Sequence, residues 1–187
     1  MVMKISILAG SNRKGASSTQ VAKVLARTIQ EQGHEVIFID LYEKPMPLYS
    51  PDLSYANDVN VSDMKKAVLS SQAVVLATPE YHGSMSGVLK NALDFMNKDY
   101  FSMKPVLAVS SSGGDVGISS LQQIQAVVRN LHGINSPEWL SVGGAQRSAF
   151  EQLQLDPEHE STKRMMRVLG TFLALADQLS SKSCAHS

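Results

Sequence analysis

The sequence predicts an α/β protein in which a parallel sheet is covered by helices on both faces. Three observations predict it. Short continuous apolar runs recur along the chain, such as MKISILA at Met3–Ala9 and AVVLA at Ala73–Ala77, as expected of strands buried on both sides. Between them lie segments whose apolar residues return at helical spacing. The junctions from strand to helix are rich in Gly, Ser and Pro, which punctuate regular structure.

Taken in order, Met3–Ala9 is the first strand and Gly10–Ser17 a polar loop. A helix begins near Ser17 or Ser18, because Val21, Val24, Leu25 and Ile29 form one face, and Gly33 ends it. Glu35–Asp40 is a second strand. Leu41 to Asn60 is irregular, since Pro45, Pro47 and Pro51 exclude regular structure, and its length marks a functional or interface loop. Ser62 caps a helix running to about Ser70. Ala73–Ala77 is the third strand. After a turn, Val88, Leu89, Ala92, Leu93 and Met96 form a helical face.

Pro105–Ser110 is the fourth strand, leading into a loop at Ser111–Gly117. Leu121, Ile124, Val127, Val128 and Leu131 then form one helix face, with Gly133 past its end. Glu138–Val142 is the fifth strand. Asp156-Pro157 reads as a cap and first-turn proline for a last helix that buries Met165, Val168, Leu169, Phe172, Leu175, Ala176 and Leu179. Five strands alternating with helices, joined by right-handed crossovers, suit the doubly wound flavodoxin-like arrangement: a five-stranded parallel sheet with helices on both faces.

A chain of 187 residues that is 43% apolar fits one domain over 1–187. Seventeen basic and seventeen acidic side chains cancel, so the charge favours neither nucleic acid nor an anionic membrane. The one cysteine, Cys184, excludes a disulfide or a Cys-based metal site within one chain, and it sits in a polar tail expected to be disordered over about 182–187. MVMKISILAG is too short for a signal peptide or a membrane span, and a cytoplasmic protein is expected.

Three strand-to-helix junctions carry the candidate chemistry. The first, GSNRKGASSTQ, places Ser11, Arg13, Ser17, Ser18, Thr19 and Gln20 at a helix start, where free amides and the helix dipole favour an anion. Several hydroxyls cluster where a cap needs only one, which points to phosphate. Ala16-Ser17 stands where a P-loop requires Lys-Ser or Lys-Thr, and Asn12 occupies the second glycine position of a dinucleotide fingerprint. Asp40 is therefore read as a helix or loop cap, and what remains is a phosphomonoester cradle. The second junction, after Ala77, presents Tyr81, His82 and Ser84 at a strand's carboxyl end, where open α/β sheets bind ligands. Pro79 and Gly83 shape that turn. The third is the Ser/Gly stretch from Ser110.

GSNRKGASST at 10–19, followed by TPEYHGSMSGVLKNALDF at 78–95, resembles the NAD(P)H-dependent FMN reductase family. That is the flavodoxin-like group of chromate, quinone and azo-dye reductases, with a GSxRxxS-type loop and a TPEYNxSxPGxLKNAxDW-type loop. The chain departs from the pattern at His82 for asparagine, Ser86 for proline and Phe95 for tryptophan, and its first loop is one residue longer. The resemblance implies that Ser11, Arg13, Ser18 (or Ser17), Thr19 and Gln20 hold the FMN phosphate. Pro79, Glu80, Tyr81 and His82 would run along the flavin ring through backbone groups, with Ser84 nearby, and Ser110, Ser111, Ser112, Gly113 and Gly114 would close the other side. It implies hydride transfer from NADPH or NADH to bound FMN, then ping-pong reduction of a small-molecule electron acceptor: a quinone, azo compound, metal oxyanion or free flavin. No protein side chain is expected to be catalytic, because the flavin carries the chemistry. A homodimer or homotetramer is implied as well. The competing expectation is a flavodoxin-like electron carrier or an FMN-based redox sensor acting on a protein partner. Lys90 and Asp94 read as a surface ion pair, and Trp139 as packing.

Overall fold

The apolar runs and helical faces assemble as a three-layer α/β sandwich in a computed structural model, which describes residues 1–151 and 155–183. Strands β1 (Lys4–Ala9), β2 (Glu35–Asp40), β3 (Ala73–Tyr81), β4 (Ser84–Met85), β5 (Pro105–Ser112), β6 (Ile134–Asn135) and β7 (Leu140–Gly143) make one sheet. Its order is β2-β1-β3-β5-β6, with β7 also on β5 and β4 on β3. All pairs are parallel except β3 with β4.

Among the described residues, seven strands replace the expected five for two local reasons. β6 and β7 lie end to end along β5, opposite Pro105–Val106 and Val109–Ser112, so one edge position is split in two. Pro137 lies in the gap and cannot donate to a ladder. β4 is a two-residue antiparallel return from β3.

Strand alternation divides the core. Ile5, Ile7, Val75, Leu107 and Val109 pack with helices α1 (Ser17–Glu31), α6 (Ser148–Glu151) and α7 (Glu160–Ser183). Leu8, Val74, Leu76, Val106 and Ala108 pack with α2 (Val59–Ser70), α3 (Gly87–Asp94), α4 (Lys98–Phe101) and α5 (Ile118–Asn130). The helix face read from the sequence is the buried one in α1, and in α3 and α5 it is buried except for Val88 and Val127, which are half-buried. In α7, Leu173 is buried instead of Leu175 and Leu179, which are half-buried.

Helix ends explain the remaining boundary differences. Asp58, not Ser62, caps α2, accepting from Val61 N at 2.9 Å, so the helix starts earlier. Asp156 accepts from Glu158 N in a turn, and α7 begins only at Glu160. α1 ends as expected at Gly33 (φ 85°), with Gly33 N bonded to Gln30 O and His34 N to Ile29 O. At the end of α5 the left-handed residue is His132 (φ 62°) rather than Gly133. The short helices α4, α6 and the 3₁₀ turn Gly144–Arg147 carry no clear sequence signal. α7 continues to Ser183, two residues into the stretch expected to be disordered; Cys184 lies outside the described residues.

Lys104 closes the far end of α2, donating from Nζ to Val68 O at 2.6 Å and Leu69 O at 3.0 Å. Burial lowers its pKa to about 8 from the ordinary 10.5. Between those values the unfolded chain holds the proton and the folded one does not, so this group's contribution to stability rises with pH there. Urea melts at pH 7.5 and 10 should show the parent gaining stability relative to Lys104→Met; a gap that is constant or moves the other way rejects the shift.

Candidate active site

The chain leaves β1 toward β2 on one side and returns as β3 on the other, so the sheet's switch point lies between β1 and β3. The carboxyl ends of β1, β3 and β5, three adjacent strands, and the segments that follow them hold all the candidate residues.

In the first loop Ser11 is buried, and its Oγ accepts from Arg13 N at 3.1 Å. Arg13 is exposed. The N-cap of α1 is Ala16, which offers no side-chain cap, and the first intrahelical bond is Gln20 N to Ala16 O at 3.0 Å. The amides of Ser17, Ser18 and Thr19 thus precede the hydrogen-bonded ladder. Neither Ser17 nor Ser18 is the cap, which removes the structural explanation of the hydroxyl cluster. Ser18 (1% exposed) and Thr19 (3% exposed) are buried, with Oγ and Oγ1 lacking a partner among the described residues, whereas Ser17 and Gln20 are half-buried. Buried hydroxyls are nearly always paired, so two orphans at an uncapped helix start fit an anion.

The second junction is a hairpin rather than an open loop. β3 continues to Tyr81, Tyr81 pairs with Ser84, and His82 (φ 51°) and Gly83 (φ 72°) form a two-residue turn with both central residues left-handed. Thr78 and Pro79 are buried, and Tyr81, His82 and Gly83 are exposed. The side chains anchor this hairpin elsewhere. Glu80 Oε2 accepts from Ser120 N at 2.9 Å, serving the start of α5, whose own N-cap is Gly117. Ser84 Oγ donates to Gln123 Oε1 at 2.6 Å, and Gln123 Nε2 donates to Gly83 O at 3.2 Å.

The third junction starts later than expected, because β5 runs on to Ser112 and Ser110–Ser112 are buried strand residues. Ser110 Oγ donates to Gly117 O at 2.8 Å, and Gly117 N donates to Ser141 Oγ at 2.8 Å. Ser112 Oγ donates to Gly114 O at 2.9 Å. Two of these serines therefore shape the loop through their hydroxyls. Gly113 and Gly114 are exposed, with nothing within 4 Å of where a Cβ would stand, so their backbone is open to a planar ligand.

Ser86, Gln123 and Ser120 were missing from the sequence-based site. Ser86 Oγ caps α3 by accepting from Leu89 N at 3.1 Å and donates to Gly10 O at 2.5 Å, joining the first loop to the second. A Ser-Gly pair before an apolar helical run was an available cap signal for Ser86. Gln123 had none. The long loop is held to α3 by Asn91, which donates to Pro47 O at 2.9 Å and accepts from Tyr49 N at 2.8 Å. Tyr49 and Tyr55 meet Phe95 edge-on at 5.2 and 4.8 Å. Asp40 caps this loop, accepting from Tyr42 N at 3.0 Å, and Lys90 pairs with Asp94 at 2.6 Å, both as read from the sequence.

A doubly wound sheet with an uncapped helix start and buried, unpartnered hydroxyls beside its switch point has the form of a mononucleotide-binding α/β protein. The chain belongs to the NADPH-dependent FMN reductase family, whose family model matches residues 3–147. It is 35% identical over 162 residues to the FMN-dependent NADPH-azoreductase of Staphylococcus haemolyticus (strain JCSC1435), covering 83% of this chain and 86% of that one. Against the FMN-dependent NADPH-azoreductase of Staphylococcus aureus (strain USA300) it is 37% identical over 139 residues, 72% of this chain and 74% of the other. In fold it is similar to FerB, a flavoenzyme NAD(P)H:(acceptor) oxidoreductase from Paracoccus denitrificans, with a TM-score of 0.71 at 21% identity over 96% of this chain and 98% of that one. The oxidoreductase class and the pairing of FMN with NAD(P)H, implied by the two motifs, accord with this family. Among the described residues, no helix is long and apolar enough to cross a membrane.

Proposed function

We propose that this chain is a single-domain, cytoplasmic FMN enzyme that moves electrons from NADPH or NADH to a small acceptor by a ping-pong mechanism. Quinones, azo compounds, metal oxyanions and free flavin are the acceptor classes, and a homodimer or homotetramer is the working assembly. The observation that carries the reading is the pair of buried, unpartnered hydroxyls at Ser18 and Thr19 beside the uncapped start of α1.

The phosphate would be held by the amides of Ser17, Ser18 and Thr19, by the hydroxyls of Ser11, Ser18 and Thr19, and by Arg13 as a mobile cation, with Gln20 at the rim. The burial of Ser18 supports it over Ser17 as the hydroxyl that meets the phosphate. Pro79, Glu80, Tyr81 and His82 would form one wall of the ring site through their backbone, with Ser84 fixing the hairpin. Gly113 and Gly114, supported by Ser110, Ser111 and Ser112, would form the other. Bound FMN supplies hydride acceptance and electron release; the residues supply position and polarity and need no catalytic acid.

The test is an absorbance spectrum of the purified protein, supplied with FMN if colourless, before and after anaerobic NADPH or NADH. Flavin bands that bleach with either nicotinamide are the expected result. Bound flavin that ignores both would move the reading to an electron carrier or sensor, and no flavin binding would end it.

A further inference from the structure

The hairpin at β3–β4 is poorly equipped to hold its own shape. β4 has two residues, the turn puts a non-glycine, His82, at positive φ, and the tip is exposed. A two-stranded hairpin of that size is marginal in water. Its base is fixed by Ser86 N, which donates to Thr78 Oγ1 at 2.9 Å, and its tip is restrained by α5. Glu80 Oε2 accepts from Ser120 N at 2.9 Å, placing a carboxylate at the positive end of a thirteen-residue helix that has no side-chain cap of its own. One turn further, the Gln123 amide grips the tip twice, accepting from Ser84 Oγ at 2.6 Å and donating to Gly83 O at 3.2 Å.

The third loop is tied to the same helix start. Ser110 Oγ donates to Gly117 O at 2.8 Å, and Ser120 Oγ donates to the same carbonyl at 3.2 Å. A Cβ at Gly117 would stand 2.9 Å from Ser110 Oγ and 3.4 Å from Glu80 Oε2, so anchors from both loops converge on that residue. The β3–β5 ladder joins the two walls only as far as Pro79 and Ser111, and beyond it the hairpin and the third loop are both tied to this one helix start.

We infer that the first turns of α5 set the spacing of the two walls, with Glu80 and Gln123 as positioning residues for the isoalloxazine ring. This rests on the FMN reading above and adds that ring recognition and phosphate recognition are separately supported. Phosphate binding depends on α1, and ring binding on α5.

Fluorescence titrations with FMN and with riboflavin, which lacks the phosphate, test it. Gln123→Leu and Glu80→Ala are each expected to weaken FMN and riboflavin by the same factor, about tenfold. Glu80→Gln, which keeps an acceptor for Ser120 N, should recover most of that loss, and Gln123→Glu, which keeps the acceptor for Ser84 but loses the donor to Gly83, should fall between. Circular dichroism melts identify any variant that is unfolded at the titration temperature. Gln123→Leu, whose side chain lies at the exposed tip, keeps the inference falsifiable if Glu80→Ala is unfolded. Folded variants that bind both ligands like the parent overturn the inference and leave the FMN reading standing, as does a loss confined to FMN. A parent protein that binds neither ligand overturns both.

Discussion

The double variant Ser18→Ala, Thr19→Val is expected to melt above the parent protein without FMN, yet to bind FMN at least roughly 100-fold more weakly. The two effects share one cause. Ser18 Oγ and Thr19 Oγ1 are buried and have no partner among the described residues. A buried hydroxyl without a hydrogen bond costs about 1–3 kcal/mol, and replacing it with an apolar group of similar shape removes that cost. For a chain of this size each 1 kcal/mol gained raises the melting temperature by about 2–4 °C. In the complex the same hydroxyls would donate to a charged phosphate, and such bonds are worth about 1.5–3 kcal/mol each. Their loss outweighs the gain in the free protein. Differential scanning calorimetry with and without FMN reads both terms, and riboflavin affinity should not change. A lower melting temperature for the free variant, or undiminished FMN affinity, would reject the assignment of these hydroxyls to the cofactor.

Legibility in the sequence followed the range of the interactions. The surplus of hydroxyls at the start of α1 was readable because a cap needs one and here Ser17, Ser18 and Thr19 follow one another; that Ala16 takes the cap position was not. The stop at Gly33 was readable from a glycine just past the last apolar residue of the helical face, and the strands that carry Ile5, Ile7, Val75 and Val109 were readable as continuous apolar runs, though which side chains face which layer was not. Where polar residues continue a strand, the reading stopped early: Ser111 and Ser112 extend β5 because its neighbours β3 and β7 complete their ladders. The return strand β4 could not be seen, since two residues show no period. The cap at Asp58 carries a weak local signal, since the β-branched Val59 and Val61 that follow it are poor helix formers. The site's internal ties were invisible for a different reason. Glu80 meets Ser120 and Ser86 meets Gly10 across 40 and 76 residues of chain, and no local pattern announces either bond.

Gly10→Ala is expected to destabilise the protein by about 3 kcal/mol, combining overpacking with strain on a buried hydrogen bond, and to lower the melting temperature by about 6–12 °C. A Cβ at this position would lie 2.7 Å from Leu89 Cβ and 2.8 Å from Ala77 O, neither of which is the free end of a flexible side chain. The contact is close because Gly10 is bound on both sides: its N–H donates to Ala77 O at 2.7 Å, and its carbonyl accepts from Ser86 Oγ at 2.5 Å. A methyl group must therefore push the end of β1 away from β3, or push α3 away from both, and either movement separates the phosphate loop from the hairpin. FMN affinity should fall with stability for that reason. Ser86→Ala provides the comparison, because it deletes the hydroxyl without adding bulk; leaving Gly10 O and Leu89 N without that partner should cost about 1–2 kcal/mol. If Gly10→Ala were no more harmful than Ser86→Ala, the hydrogen bond alone would join the two loops and the steric lock would be absent. A larger loss from Gly10→Ala in both melting temperature and FMN affinity identifies close backbone packing as what holds the first loop against the second.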